Sequence, residues 1–340
     1  MRPLKIALAS SVALVQLAAV RPALAQADRA AAASEPKLWS TPWNGRPRDP
    51  FADQKGNVWF VGQAGNYIGR LDPKTGEFKR YDIEAGTHPH NLVVDTKGTV
   101  WFTGNANGRI VRLDPATGKL TSLPIPEGVR DPHTMTFDRN GDAWFTAQNS
   151  DVVGRLTPDG KFRIWKMEGG SRPYGIAVDS KGRPWFDLFG TNKLGTIDPK
   201  SGEFRAYTLP NDRARPRRIA ITGDDVVWYG DYTRGYLGRL DPRSGKVDEW
   251  ALPSGGMSLP YAMTADDRGR VWLAETGPQP NRLVAFDPSQ KKFTETITIP
   301  SNSANTIRHM TFDKATRQIW FGGDANMIGR VQVAPPTIVP

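Results

Sequence analysis

"DPHTMTFDRNGDAWFTAQ", residues 131–148, decides the fold, because the same phrase occurs seven times along the chain. It reads as an apolar strand, a polar turn, and a second apolar strand carrying a tryptophan. Related stretches begin at Arg46, His88, Arg172, Arg215, Leu259 and Thr306. The tryptophans Trp59, Trp101, Trp144, Trp185, Trp228, Trp272 and Trp320 are separated by 42, 43, 41, 43, 44 and 48 residues. That period suits four short strands per repeat. The copy from His88 shows the segmentation: "NLVVD", turn "TKG", "TVWFTGN", turn "ANG", "RIVRLDP", turn "ATG", "LTSLPIPE". No amphipathic helical pattern of useful length interrupts these units. The predicted fold is all-β, a seven-bladed β-propeller of four-stranded blades.

Closure is legible as well. Six copies are followed by a fourth strand, but the seventh runs into "GRVQVAPPTIVP", whose prolines cannot donate to a ladder. The missing strand lies upstream in "LWSTPWNG" (38–45), where Trp39 matches Trp165 in register. An N-terminal strand is therefore expected to complete the last blade and remove an open sheet edge. The aspartates Asp53, Asp95, Asp138, Asp179, Asp266 and Asp313 precede turns and are assigned to Asx turns.

The first 25 residues have a basic head, an apolar segment of about 15 residues and Ala23-Leu24-Ala25 before Gln26, the pattern of a cleaved signal peptide. The expected organisation is a signal peptide at 1–25, a flexible stretch at 26–36, one propeller at 37–334 and a tail at 335–340. The expected location is periplasmic or secreted, with no membrane span and a monomeric chain. There is no cysteine, and the net charge of +10 is not gathered into blocks. With no zinc-knuckle spacing and no aromatic-basic RNA motif, nucleic acid is not the expected partner.

The residue after the proline that opens the first strand should stand at the mouth of the central channel; the seventh copy lacks that proline, and its slot is placed by matching "HMTFD" to "TMTFD". Around the ring that slot holds Arg48, His90, His133, Tyr174, Arg217, Tyr261 and Arg308. The scaffold tolerates three residue types there, as expected of ligand-binding positions on a repeat. Assuming a simple hairpin, the residue 14 positions on lies opposite each slot. That places Asp231 opposite Arg217 and Glu275 opposite Tyr261, with Asp187 one step from the site. Arg217, Tyr261, Asp231 and Glu275 are the candidate catalytic group, and Arg48, His90, His133, Tyr174 and Arg308 the candidate ligand-binding group. Asp231 and Glu275 are the candidate metal ligands, and His90 with His133 could share a metal. A cross-strand ion pair for Asp231 and a loop cap for Glu275 are the structural alternatives. Arg46, Arg48, Arg172, Arg213, Arg215, Arg217, Arg218 and Arg308 fall in or beside the same segments, favouring an anionic ligand.

The copies "HPHNLVVDTKGTVWFTGN", "RPYGIAVDSKGRPWF" and "LPYAMTADDRGRVWLAETG", followed by "GRLDP" or "LGTIDP", resemble the virginiamycin B (streptogramin) lyase family over nearly all of the mature chain. The resemblance implies a seven-bladed propeller that opens a macrocyclic lactone by elimination, with Mg²⁺, histidine and glutamate at the channel mouth. Glu275 in "WLAE" matches the family's glutamate. The two catalytic histidines map onto Arg217 and Tyr261, and an acid two residues before the second maps onto Leu259. Two functions follow as expectations. One is a lyase-like enzyme acting on a lactone, another ester or an anionic substrate. The other is a non-catalytic propeller that captures an acidic ligand or protein partner. On the first, Glu275→Ala should abolish turnover and leave Tm nearly unchanged.

Overall fold

Each repeat folds as one antiparallel sheet in the computed structural model, which describes residues 35–300 and 306–334. The segment expected to be a signal peptide (1–25), most of the stretch at 26–36 and the tail at 335–340 lie outside the described residues. Six sheets are built from consecutive strands, and seven sheets stand around one channel. The strands facing that channel are Pro47–Ala52, Pro89–Val94, Pro132–Phe137, Pro173–Val178, Pro216–Ile221, Pro260–Ala265 and Ile307–Asp313. Among the described residues no helix is long and apolar enough to cross a membrane.

The seventh sheet takes Ile307–Asp313, Gln318–Gly323 and Met327–Gln332 from the C-terminal end and Lys37–Ser40 from the other. Trp39 pairs with Ile328, and its ring stacks on Trp320 at 5.6 Å. Trp165 stacks on Trp144 at 5.3 Å in the third blade. Without Lys37–Ser40, the strand Met327–Gln332 would present unpaired backbone groups, a template for another chain. A variant beginning at Thr41 is expected to lose monodispersity on size-exclusion chromatography while the full mature chain keeps it.

The repeated aspartate and tryptophan belong to one device. Asp53, Asp95, Asp138, Asp179 and Asp266 each accept backbone N–H bonds from the turn with one oxygen. The other oxygen accepts the indole N–H of the tryptophan six residues on, at 2.8–3.1 Å. A buried indole N–H is thereby satisfied and the turn fixed in one step. Thr222 does the same for Trp228 at 3.1 Å. In the seventh blade the turn is one residue longer, and the Trp320 indole N–H has no hydrogen-bond partner. The third strand carries glycine where a ring lies flat against it: a Cβ on Gly154 would sit 2.2 Å from Phe145. The tryptophans and these rings fill the space between neighbouring blades.

Candidate active site at the channel mouth

The channel-facing strands do not pair as simple hairpins. The opening proline, not the slot residue, lies opposite the end of the second strand: Pro89 faces Gly104, Pro216 faces Asp231 and Pro260 faces Glu275. Ile307 takes the proline's place against Gly323. The register then shifts, and the slot residue falls within that irregularity. A bulge of this kind re-aims side chains. Here it sends the slot residue and often its successor into the channel, and the carboxylates of Asp231 and Glu275 to the connecting loops.

The expected facing of Asp231 with Arg217 and Glu275 with Tyr261 is corrected accordingly. Glu275 is fully buried and accepts the Ser254 N–H at 2.8 Å, the Ser254 hydroxyl at 2.8 Å and the Ser258 hydroxyl at 3.0 Å. Arg282 lies 3.5 Å from the same carboxylate. It therefore fixes the loop around the 3-10 turn Gly255–Met257. Asp231, also fully buried, accepts the Arg215 N–H at 3.0 Å and the Arg234 guanidinium at 3.0 Å. Burial, followed by the nearby Glu249 charge, outweighs these donors and pushes its carboxyl up.

This donor set does not fit Mg²⁺. Oxygens already holding hydroxyl, amide and guanidinium donors are not presented to a hard cation that demands several oxygens in octahedral array. Among the described residues no three His, Cys, Asp or Glu side chains are grouped to hold a metal. His90 and His133 stand side by side, each with Nδ1 engaged. Their rings pack at 3.6 Å between centroids, with His90 Nδ1 on the His133 carbonyl and His133 Nδ1 on the Thr134 hydroxyl. Burial first, then nearby arginines, holds both imidazoles well below their ordinary range, so they are neutral.

Arg217, Tyr261, Tyr174 and Arg308 do meet. The Arg217 guanidinium lies 3.8 Å from the Tyr261 ring centroid, 4.3 Å from Tyr232, 4.9 Å from Phe189 and 5.2 Å from Tyr174. Four rings thus box one cation, the arrangement that the ring quadrupole favours. Tyr174 and Tyr261 share a hydrogen bond between their hydroxyls across the channel. Arg308 donates to the Tyr261 hydroxyl at 3.5 Å and is anchored by Asp324 at 2.6 Å. Arg48 is buried beside this group, donating to Asp49 at 2.9 Å and Gln63 at 3.1 Å.

Electrostatics separates the two phenols. Burial raises both, but at Tyr261 the guanidiniums of Arg48, Arg217 and Arg218 and the hydrogen bond with Tyr174 prevail, lowering it from 10.0 to about 7. Tyr174 is pushed up, by burial and then by the Tyr261 charge. Between pH 7 and 10 the native chain therefore holds one proton fewer than the unfolded chain at Tyr261. This contribution to stability is complete above pH 10 and is lost as pH falls toward 7, by at most about 1.4 kcal/mol per pH unit. The expected result is a stability–pH slope across this window that is steeper in the wild type than in Tyr261→Phe, read by chemical denaturation.

The slot side chains of Arg48, His90, His133, Tyr174 and Tyr261 are only 3–5% exposed, so they plug the channel. The surface that a ligand meets is made by Arg217, Arg308, Phe189 and Tyr232. Phe189 and Tyr232 were not legible as site residues, since each lies past the end of its second strand. Arg218 was visible only as one of eight arginines, yet it crosses the channel to Thr134 at 3.0 Å and approaches Asp49 at 4.0 Å.

Residues 46–332 match the family profile described as the virginiamycin B lyase family. The chain belongs to that family. Among solved structures it is similar to a streptogramin B lyase, with 26% identity and a TM-score of 0.80 over 88% of this chain and 97% of the other. The selenomethionine form of virginiamycin B lyase from Staphylococcus aureus gives 28% identity and a TM-score of 0.79 over 88% and 100%. A catalytically inactive histidine-to-alanine variant of the S. aureus enzyme with quinupristin gives 28% and 0.78 over the same shares. No curated protein matches. In this virginiamycin B lyase family member the two positions onto which the resemblance maps imidazoles hold the Tyr261 phenol and the Arg217 guanidinium.

Proposed function

We propose that this family member is a periplasmic or secreted carbon–oxygen lyase that acts on a lactone, another ester or an anionic substrate at the channel mouth. One observation carries the reading: the Tyr261 hydroxyl stands among Tyr174 and the part-exposed Arg217 and Arg308. A phenolate near neutral pH is a competent general base. It takes the proton from the carbon beside the substrate carbonyl. That C–H pair becomes the C=C bond, and the β carbon–oxygen bond breaks. The leaving oxygen departs as a carboxylate, or as an alkoxide that recovers a proton from Tyr261. Arg217 or Arg308 stabilises the negative charge that develops on the carbonyl oxygen. No step requires a metal.

The test is incubation of the mature protein with quinupristin or another type B streptogramin, followed by chromatography and mass spectrometry. Elimination gives a ring-opened product of unchanged mass, whereas hydrolysis adds one water. Equal yield with and without a chelator is expected. Absence of the isobaric product sinks the antibiotic-lyase form of the proposal. The closed channel plug favours the second reading, a propeller that binds an acidic ligand without turning it over. Saturable binding of a carboxylate ligand without a product supports that reading.

A further inference from the structure

Beneath the mouth the channel carries more positive charge than its own carboxylates balance. Arg48 and Arg218 are each only 3% exposed. They share one carboxylate, Asp49, which Arg48 meets at 2.9 Å and Arg218 at 4.0 Å. Asn91 holds the second oxygen of Asp49 at 2.9 Å. The other buried acid on this level is Asp187, one oxygen of which accepts the Gly175 N–H at 2.9 Å. Burial pushes its carboxyl well above the ordinary range, so it supplies no compensating charge. His90, His133 and His309 are neutral for the same reason, His309 being lowered to about 4.

The arginines also have donors to spare. Arg48 Nη2 and Arg218 Nε and Nη2 are buried with no hydrogen-bond partner. Arg218 starts from the fifth blade and reaches Thr134 of the third and Asp49 of the first, so its guanidinium lies across the channel. One shared carboxylate, with Gln63 for Arg48 and Thr134 for Arg218, pairs the two guanidiniums only in part, and incompletely paired buried charge is costly. An acceptor-only monoanion answers both deficits at once.

We propose that the channel interior binds one small monovalent anion, of halide, nitrate or formate size, between Arg48 and Arg218. This site adjoins Tyr261, whose phenol Arg48 and Arg218 also hold down, but it does not rest on the lyase reading. Its ligand chemistry is that of a compact acceptor with no donor of its own.

The test uses the purified mature chain exchanged into sodium gluconate, whose anion is too bulky for the site. Chloride, bromide, nitrate or formate is then substituted at constant ionic strength while thermal unfolding is followed. The expected result is a saturable rise in Tm, about 5 °C at a hundredfold excess over Kd. The rise should be absent in Arg218→Met and in Arg48→Met. Crystals soaked in bromide should show one anomalous peak between the two guanidiniums, a readout that needs no variant to fold. An equal rise in wild type and variants would be a general salt effect and overturns the proposal. So would Tm values that match in chloride and gluconate with no bromide peak.

Discussion

Glu275→Ala is expected to lower stability by about 3 kcal/mol and to leave the chemistry of Tyr261 in place. The carboxylate accepts three hydrogen bonds from Ser254 and Ser258 and sits beside Arg282. Removing it leaves the Ser254 N–H without its acceptor and releases the loop 254–258, while the buried Ser258 hydroxyl keeps the Gly255 carbonyl at 2.6 Å. Unsatisfied buried donors cost about 1–3 kcal/mol each, and losing one partner of a buried pair costs 3–5 kcal/mol. Arg282 can turn to solvent, which keeps the sum toward the lower figure. Calorimetry should show Tm falling by roughly 5–10 °C, with Glu275→Gln losing about half as much. Sequence reasoning alone expected lost turnover and an unchanged Tm. That pattern, if observed, would return Glu275 to the reacting centre.

Tyr261→Phe is expected to show the opposite signature. The ring remains beside Arg217, so packing is kept, while the hydroxyl that meets Tyr174 and Arg308 is lost. Stability should change by about 1 kcal/mol. On any substrate that the wild type eliminates, turnover should fall about 10²–10⁴-fold, the range for loss of a general base. Arg217→Lys should lose less, since it keeps the charge but not the flat contact with four rings. A Tyr261→Phe variant within threefold of wild type would remove the phenol from the mechanism.

The fold could be read because each repeat spells its own turn and its own tryptophan. The Asp–Trp pairs act locally, within six residues, so the sequence carries them in full. Closure was equally plain, because Trp39 repeats the place of Trp165. The slot residues Arg217, Tyr261 and Tyr174 could be found by counting from the opening proline, and Arg308 by matching "HMTFD" to "TMTFD". What counting missed was the bulge. In four blades it follows a left-handed residue before the proline: Arg46, His88, Arg172 and Leu259 have φ of 53°, 46°, 52° and 44°. Such a conformation is signalled in sequence by glycine, and none stands there. The register shifts after Pro216 and Pro260, and the facing of Asp231 and Glu275 was misplaced by one residue. Arg218 was obscured for the same reason, since in a regular strand two successive residues cannot both face the channel.

The central claim is that guanidiniums make Tyr261 an ionised phenol near neutral pH, and it can be tested without knowing the substrate. The measurement is an ultraviolet difference titration of tyrosinate in wild type and Tyr261→Phe. Gluconate should be the only buffer anion, because a small anion near Arg48 and Arg218 would push the phenol back up. The account predicts one tyrosine ionising at about pH 7 in the wild type and none there in the variant. If every tyrosine of the folded wild type instead ionises at about pH 10 or above, the account is contradicted.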